Sequence, residues 1–323
     1  MDAALNQLIL ELYRGSRECP ADEFQDRALD AVQKAIPFDS AVWGAGANNP
    51  HVIHHVHLYR QPQRMNEDYV AGFQDKDFMR VKVSETPGVT VNLADLVTRD
   101  EYRRTDIYRG FSHRYGIEQI LCTVLVDPVS GLYQFLSLWR ADPRRPFREA
   151  ERRAKQSLMP HLVESYRTNR IVSMRQLAFG RGKSAHAAAV CNRLGILHEI
   201  EGRFASLLRI EWPRWGGAEL PRGLRQCAAS GTGEGFLGKR IVVSAAPLKD
   251  LVVLLAREKT EVDALGRRER MAAERFAGGK THQQVAQALG VSASTVRNQL
   301  RSVYRKLGVT DKAELARVLG DSA

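Results

Sequence analysis

The sequence predicts an α+β protein, in which N-terminal antiparallel-sheet domains are joined by a long helix and followed by an all-α C-terminal domain. Three observations support this prediction. Two apolar segments flank the turn residues Pro128–Gly131, as strands of a hairpin do. Residues 147–178 carry one continuous helical pattern, and residues 281–307 carry the signals of two capped helices.

The first domain is expected to span residues 1–146. Apolar periods of four and of two alternate along it, so helices and half-buried strands should alternate as well. The predicted elements are an amphipathic opening helix, a helix over Asp22–Ile36, strands over Ser40–Gly46 and His51–Tyr59, a helix over Tyr69–Phe78, and strands over Gln119–Asp127 and Tyr133–Arg140.

This order of elements, together with three short words, resembles a GAF-type domain. The words are Tyr115-Gly-Ile117, Ser137-Leu-Trp139 and Pro146-Phe147. The resemblance implies an antiparallel sheet with helices behind it. It implies no particular ligand, because one fold serves many functions.

Residues 147–180 are predicted to be a connecting helix. Ala154, Leu158, Leu162 and Tyr166 recur at a spacing of four, which indicates one buried face. Pro160 lies inside this pattern and should kink or divide the helix. Two packings remain open: the helix packs on its twin in a dimer, or it folds back on its own domain.

A second small domain is expected over residues 186–257, after a flexible break at Gly180–Ser184. Its pattern resembles a shortened PAS-type fold, without a haem or flavin signature. The predicted elements are strands over Ala187–Asn192 and Ile196–Glu201, a helix over Phe204–Glu211, and a hairpin of Lys239–Ala246 and Leu251–Arg257.

The C-terminal region has an unusual distribution of charge. The run Arg275–Thr310 contains six lysine and arginine residues and no acid. Acid-free basic stretches with helical periodicity are typical of surfaces that face phosphates. Within the run, Thr281–Gln284 is a capping-box pattern, Gly290 should end that helix, and Ser292 should cap the next one.

The second of these helices has an apolar face and a basic face. Its apolar positions, spaced four, three and four apart, are Val296, Leu300, Val303 and Leu307. If these point inward, the geometry of a helix turns four polar residues outward or to the flanks: Arg297, Asn298, Arg301 and Arg305. Arginine pairs with guanine and asparagine with adenine in the DNA major groove. The alternative is a helical bundle with a solvated basic face.

Residues 262–323 resemble the LuxR-type helix-turn-helix domain of bacterial transcription regulators. The matching words are Leu265-Gly-Arg-Arg-Glu269, Ala277-Gly-Gly-Lys-Thr281, Leu289-Gly-Val-Ser292, Ser294-Thr-Val-Arg297, Tyr304-Arg-Lys-Leu-Gly308 and Glu314-Leu315. The resemblance implies a four-helix module. Gly266 departs from the pattern, because a capping Thr or Ser is usual there, and the first helix is expected to fray at its start.

The resemblance also implies roles for individual residues. The family's base-reading positions correspond to Arg297, Asn298 and Arg301. We assign DNA phosphates to Lys280, Thr295, Arg305 and Lys306, of which the family pattern itself implies Thr295 and Lys306. The family's fourth helix often supports dimers, which makes Leu315, Val318 and Leu319 candidates for a dimer contact.

The receptors for acyl-homoserine lactones share this DNA-binding domain, and their sensor carries a Trp-x-x-x-Tyr word followed by an Asp. Here Tyr69 and Phe73 replace the two aromatic residues, and Lys82 stands near the expected position of the Asp. A lysine cannot accept the amide hydrogen bond of that ligand. The sequence therefore argues against a lactone and leaves another small-molecule effector open.

Other candidate chemistry is weaker. His51, His54, His55 and His57 are metal-ligand residue types, but without a nearby Cys or acid we expect solvent-facing strand histidines and no metal. Cys122 is expected to be a buried small hydrophobe and not a redox switch. Gly231–Gly238 lacks a following Lys-Ser/Thr, which predicts a loop without phosphate. No cofactor is predicted, and the absence of a catalytic set predicts a protein that is not an enzyme.

The formal net charge is +11 and the isoelectric point is near 9.7, which favours a polyanionic partner. The helix-turn-helix pattern selects double-stranded DNA over a membrane. Four widely spaced cysteines and the lack of a signal peptide predict a cytoplasmic protein. The expected function is sequence-specific transcription regulation by a homodimer. Alternatives are a quorum-type signal receptor and an interaction or sensor protein with degenerate DNA binding.

Overall fold

The computed structural model describes residues 3–179, 186–230 and 235–321. They divide into two compact units. The first comprises residues up to 237 together with 243–257, and the second comprises 238–242 together with the chain from 258 onward. The first two predicted segments and most of the third, residues 186–257, lie in the first unit, and the boundaries proposed between them remain predictions. The predicted break at Gly180–Ser184 lies outside the described residues.

The first sheet is antiparallel, with the strand order β2-β1-β5-β4-β3. Its strands are β1 (Ser40–Asn48), β2 (His51–Tyr59), β3 (Val91–Asn92), β4 (Gln119–Val126) and β5 (Leu132–Arg140). The two predicted strand pairs are confirmed. The β4–β5 turn is held by the Asp127 carboxylate, which accepts the amides of Val129 at 3.0 Å and Ser130 at 2.8 Å.

Helices cover both faces of this sheet, so the side chains of the strands enter two separate cores. One core joins α1 (Ala3–Glu18), α2 (Phe24–Ala35) and α6 (Glu149–Phe179) to Trp43, Leu121 and Leu136. The other core joins α3 (Arg64–Gly72), α4 (Phe78–Glu85) and α5 (Arg99–Arg104) to Cys122, Val124 and Trp139. The alternation along each strand follows from the period of two in side-chain direction.

The predicted helix over Tyr69–Phe78 is wrong in its bounds. Helix α3 ends at Gly72, a single 3-10 turn follows, and α4 begins at Phe78. Asp77 caps α4, because its carboxylate accepts the amide of Arg80 at 3.0 Å. The apolar periodicity was continuous through this cap, which is why the sequence suggested one helix.

Helix α6 is a single helix of 31 residues that runs through Pro160 without being divided. Its buried face includes Leu158, Leu162 and Tyr166, which pack with the core of the first sheet. Asn169 donates to the carbonyl of Cys19 at 2.7 Å and ties α6 to the end of α1. Of the two packings left open, the helix therefore folds back on its own domain.

The second sheet is also antiparallel, with the order β7-β6-β10-β9-β8. Its strands are β6 (Ala187–Asn192), β7 (Leu197–Ile200), β8 (Phe236–Leu237), β9 (Ile241–Leu248) and β10 (Leu251–Glu258). Helix α7 (Gly202–Glu211) was predicted, whereas α8 (Arg222–Ser230) and β8 were not. Strand β8 falls in the predicted loop Gly231–Gly238, whose first four residues lie outside the described part of the chain.

The C-terminal unit consists mainly of four helices: α9 (Arg267–Ala277), α10 (His282–Leu289), α11 (Ala293–Leu307) and α12 (Lys312–Asp321). The predicted caps are present. Thr281 and Gln284 form a reciprocal capping box, Gly290 adopts φ 63° in the left-handed region, and Ser292 accepts the amide of Thr295 at 3.1 Å. The turn between α10 and α11 is thus set by local chemistry.

Candidate functional site

Helix α11 presents a polar ridge on the outside of the C-terminal unit. Val296 and Leu300 are buried against α9 and α10, as their spacing predicted. Arg297, Asn298 and Arg301 are exposed. Across the described residues, neither arginine forms an ion pair, and Arg297 makes only a long 3.4 Å bond from Nε to the carbonyl of Ala293. The ridge can therefore offer charged donors to a partner.

The four residues assigned to phosphates differ in their surroundings. Lys280 and Arg305 are exposed, and the structure gives them no ion pair among the described residues. The Thr295 hydroxyl lies 2.8 Å from the Ser292 hydroxyl and so belongs to the cap of α11. Lys306 forms an ion pair with Glu269 at 2.7 Å, which neutralises part of its charge inside the domain.

Glu269 explains how α9 begins without a side-chain cap at Gly266. The Glu269 carboxylate accepts the Gly266 amide at 2.8 Å, which is half of a capping box. The hydrogen bond from Lys306, followed by that from the Gly266 amide, lowers the pKa of Glu269 to about 2. The helix begins at Arg267, so the fraying expected at its start is not seen.

The fourth helix requires a correction. Leu315 is fully buried in the core of its own unit, together with Val262, Ala273 and Val303. The spacing of apolar residues in α12 could not show whether that face meets α9 or a second subunit. Val318 and Leu319 are half-buried and pack against the same core. Leu315 is therefore a core residue and not a candidate dimer contact.

A cavity of about 360 Å³ lies in the first unit, between the first sheet and helices α3 and α4. Most of its wall is apolar and includes Val56, Met65, Ile120, Val124, Phe135 and Trp139. All of these except Met65, which lies on α3, are strand residues. They face away from the core that holds α6, because alternate residues of a strand point to opposite faces. The size and the apolar wall are those of small-molecule pockets, which occupy about 300–1,000 Å³.

Polar groups gather on the α3–α4 side of this cavity. The Tyr69 hydroxyl donates to the Asp77 carboxylate at 2.8 Å, and both residues line the cavity. Burial raises the pKa of Asp77 and that of Tyr69. An apolar pocket with a few convergent polar groups of shifted pKa is a typical binding site.

The structure places Lys82 away from this cavity. Lys82 is exposed on α4, where it forms a 3.2 Å ion pair with Glu85, and it does not line the cavity. The acidic residue that lines the cavity is Asp77. A helix was predicted over this position, so Asp77 was not identified as a candidate site residue. The cap signal of an Asp followed by an amphipathic segment could have found it. Lys82 therefore contributes no charge to the cavity wall.

Residues 263–319 match the family model described as bacterial regulatory proteins, luxR family. The C-terminal domain belongs to the LuxR family. This LuxR-type domain is a DNA-binding regulatory domain, and the exposed ridge lies on its third helix, α11. No curated protein matches the chain in sequence at a significant level.

Three solved structures align with the chain at low identity. CepR2 from Burkholderia cenocepacia, an N-acylhomoserine lactone dependent LuxR family factor, shares 15% identity over 54% of this chain and 98% of its own, with a TM-score of 0.39. The VqsR ligand-binding domain from Pseudomonas aeruginosa shares 16% identity over 53% of this chain and 99% of its own, with a TM-score of 0.39. Escherichia coli SdiA shares 15% identity over 98% of this chain and 96% of its own, with a TM-score of 0.38. All three TM-scores are below 0.5, so they say nothing about a ligand.

The histidines upstream of the LuxR-type domain are not solvent-facing as a group, which corrects the expectation. His55 and His57 face α2, where they bond Gln25 at 2.8 Å and Asp26 at 2.9 Å. His54 occupies the bulge of β2, between His55 and Ile53 in the pairing with β1. Its ring stacks on His198 of β7, with centroids 3.9 Å apart. No group of three metal-ligand residues forms among the described residues.

The four cysteines form no disulfide with one another in the part of the chain that the structure describes. Cys122 is buried, as expected, and burial raises its pKa to about 11, so it stays protonated at neutral pH. It lines the cavity as a small apolar group. In the described part of the chain, the helices are too short or too polar to span a bilayer.

Proposed function

We propose that the protein is a sequence-specific DNA-binding transcription regulator. The observation that carries the proposal is the exposed ridge of Arg297, Asn298 and Arg301 on the third helix of a LuxR-type domain. Both arginines lack an ion pair among the described residues, so their charge is available to a polyanion. Bidentate contacts from these residue types to base edges would supply sequence preference.

Phosphate contacts are assigned to residues around the ridge. Lys280 and Arg305 are exposed. Lys280 precedes α10, and Arg305 lies in the last turn of α11. Thr295 stands in the first turn of α11, where its hydroxyl can approach a phosphate. Lys306 would have to exchange its bond with Glu269 for one to DNA. We therefore rank Lys306 below the other three.

The first unit would act as a sensor, with a small-molecule effector in the cavity between the sheet and α3–α4. This part of the proposal is supported by the cavity volume of about 360 Å³ and by its apolar wall. The Tyr69–Asp77 pair supplies an oriented polar group at that wall. A quorum-type signal receptor is thus one form of the same function, with the identity of the signal left to experiment.

DNA binding as a homodimer completes the proposal. Val318 and Leu319 remain its candidate contacts, since each keeps part of its surface outside the domain core. A Leu319→Asp variant should dimerise poorly on DNA, because a carboxylate would enter an apolar contact. Sedimentation of the protein–DNA complex measures this. Unchanged dimers on DNA would remove α12 from the interface.

The decisive test is selection of DNA sites from a random library by the full-length protein, followed by binding measurements on the selected site. We expect Arg297→Ala and Arg301→Ala to cost about 1–3 kcal/mol each and to relax specificity at individual base pairs. Arg317→Ala, on the exposed side of α12, is the matched control. Equal affinity of the wild type for all sequences would show an interaction or sensor protein with degenerate DNA binding.

A further inference from the structure

Arg80, a residue of the cavity wall, carries an unsatisfied hydrogen-bond donor. It lies in the first turn of α4 and lines the cavity beside Asp77. Its Nε is buried, and none of the described residues accepts a hydrogen bond from it. The other end of the guanidinium lies 3.8 Å from Asp75, whose side chain is 99% exposed. A pair of this length at an exposed carboxylate is weak.

The neighbouring acid does not satisfy this donor. Asp77 Oδ1 accepts the backbone amide of Arg80 at 3.0 Å, and Oδ2 accepts the Tyr69 hydroxyl at 2.8 Å. The carboxylate is thus held by the helix end and by the phenol, not by the Arg80 side chain. A buried donor without an acceptor lowers stability, and an acceptor brought in by a ligand would remove that cost.

The remaining walls determine what else the ligand must be. Phe111, Phe135 and Trp139 line the cavity, together with aliphatic side chains from three strands. Apolar surface of this kind favours an aromatic or aliphatic body, because burial of such a body removes it from water. Arg80 is then one of few places where a polar head group would find a charged donor.

We propose that Arg80 recognises the head group of the effector, which is a largely apolar molecule ending in an sp² oxygen acceptor, a carbonyl or a carboxylate. The proposal rests on the effector role given above to the cavity, and it names the residue that sets the head group. The Nε donor is directional, so an acceptor-bearing ligand is preferred over a hydrocarbon of the same shape.

The test uses three probes of similar size with the full-length protein: 4-phenylbutanoate, 4-phenylbutan-2-one and n-butylbenzene. Calorimetric titration of the wild type should show at least tenfold tighter binding of one or both acceptor-bearing probes than of butylbenzene. Arg80→Met should abolish this preference and bind butylbenzene within about twofold of the wild type. Arg109→Met, at an exposed arginine outside the cavity, should behave as the wild type. If Arg80→Met does not fold, Arg80→Lys serves, since it keeps the charge and lacks the Nε donor.

The outcomes distinguish the role of Arg80 from the proposal that the cavity binds an effector. Preference for 4-phenylbutanoate would identify a carboxylic acid as the head group, and preference for the ketone a neutral carbonyl. Butylbenzene binding as tightly as the acceptor probes, or a preference that survives in Arg80→Met, would overturn the role of Arg80 and leave the cavity a binding site. Failure of all three probes to bind the wild type would overturn both proposals.

Discussion

The Glu269 carboxylate accepts both the Lys306 ammonium, at 2.7 Å, and the Gly266 amide, at 2.8 Å, on the same oxygen, Oε2. One side chain thereby caps α9 and fastens it to α11, the helix that carries the exposed ridge of Arg297, Asn298 and Arg301. The side chain of Glu269 is 17% exposed, so water screens this contact less than an ordinary surface pair. Lys306 is consequently part of the scaffold of the LuxR-type domain.

We expect Glu269→Gln to loosen α9 and α11 by about 1 kcal/mol, the usual scale for a cap or a charged hydrogen bond. Amide hydrogen exchange of the full-length protein at pH 7 measures this loss of stability in α9 and α11. Because the pKa of Glu269 is lowered from its usual value to about 2, the stabilisation is present above pH 4.5 and lost as the pH falls toward 2. Glu274→Gln, which breaks an exposed pair with Arg270, is the control and should change exchange little. Similar exchange in both variants would contradict the bracing role.

The phosphate assignment predicts a change in salt dependence. Lys280→Ala and Arg305→Ala should each weaken binding to all sequences alike and reduce the slope of log K against log salt by about 1. Lys306→Ala should instead lower the stability of the domain, because its partner is Glu269. Fluorescence anisotropy between 50 and 200 mM salt, on selected and random DNA, distinguishes these cases. A full unit of slope lost in Lys306→Ala would place Lys306 on DNA.

Removal of the Tyr69 hydroxyl should be costly. Tyr69→Phe removes the hydroxyl donor to Oδ2 of the buried Asp77 carboxylate and leaves only backbone donors at this group, and such losses cost about 1–3 kcal/mol. Tyr115→Phe is the matched control, because Tyr115 donates in the same way to Asp68, whose carboxylate keeps its access to water. Urea denaturation followed by tryptophan fluorescence compares the two. Equal midpoints would show that the Asp77 site is hydrated.

Lys155 predicts a pH dependence of stability. Its Nζ is fully buried under the first sheet, where it donates to Thr123 at 2.6 Å and to the carbonyl of Leu136 at 2.9 Å, and burial lowers the pKa of Lys155 to about 7. The unfolded chain binds this proton near pH 10.5, so the stabilisation from the neutral amine is lost as the pH falls from 10.5 to about 7.

Lys155→Met should therefore gain in melting temperature relative to the wild type as the pH is lowered from 10 to 7. Lys34→Met, at a surface lysine on α2, is the control and should show no such trend. A constant difference between Lys155→Met and the wild type over this range would mean that Lys155 is charged in the folded protein.

Much of the LuxR-type domain follows from local chemistry. The Thr281–Gln284 capping box, the left-handed Gly290 and the Ser292 cap all involve residues within a few positions of each other. The apolar spacing of α11 selects its buried face and thereby its exposed ridge. The hairpins of both sheets were recognisable for the same reason, since turn residues and alternation act over short distances.

Contacts between distant segments were beyond the reach of such patterns. Periodicity predicted that Leu315 lies on the apolar side of a helix, but not that α9 covers this side. Charge placed Lys306 on a basic face, but not beside Glu269, 37 positions away. Similarly, Asp77 was visible as an acid, and only the packing of α3 and α4 over the sheet brought it to the cavity.

The sequence by itself determined the helix-turn-helix, the exposed polar ridge of α11 and most strands, because caps, turns and apolar periods are short-range properties of the chain. Tertiary structure alone decided the cavity, the surroundings of Arg80 and Asp77, and the core position of Leu315. The physical reason is that burial and partner choice depend on which elements meet in space, and residues far apart in sequence carry no local signal of that meeting.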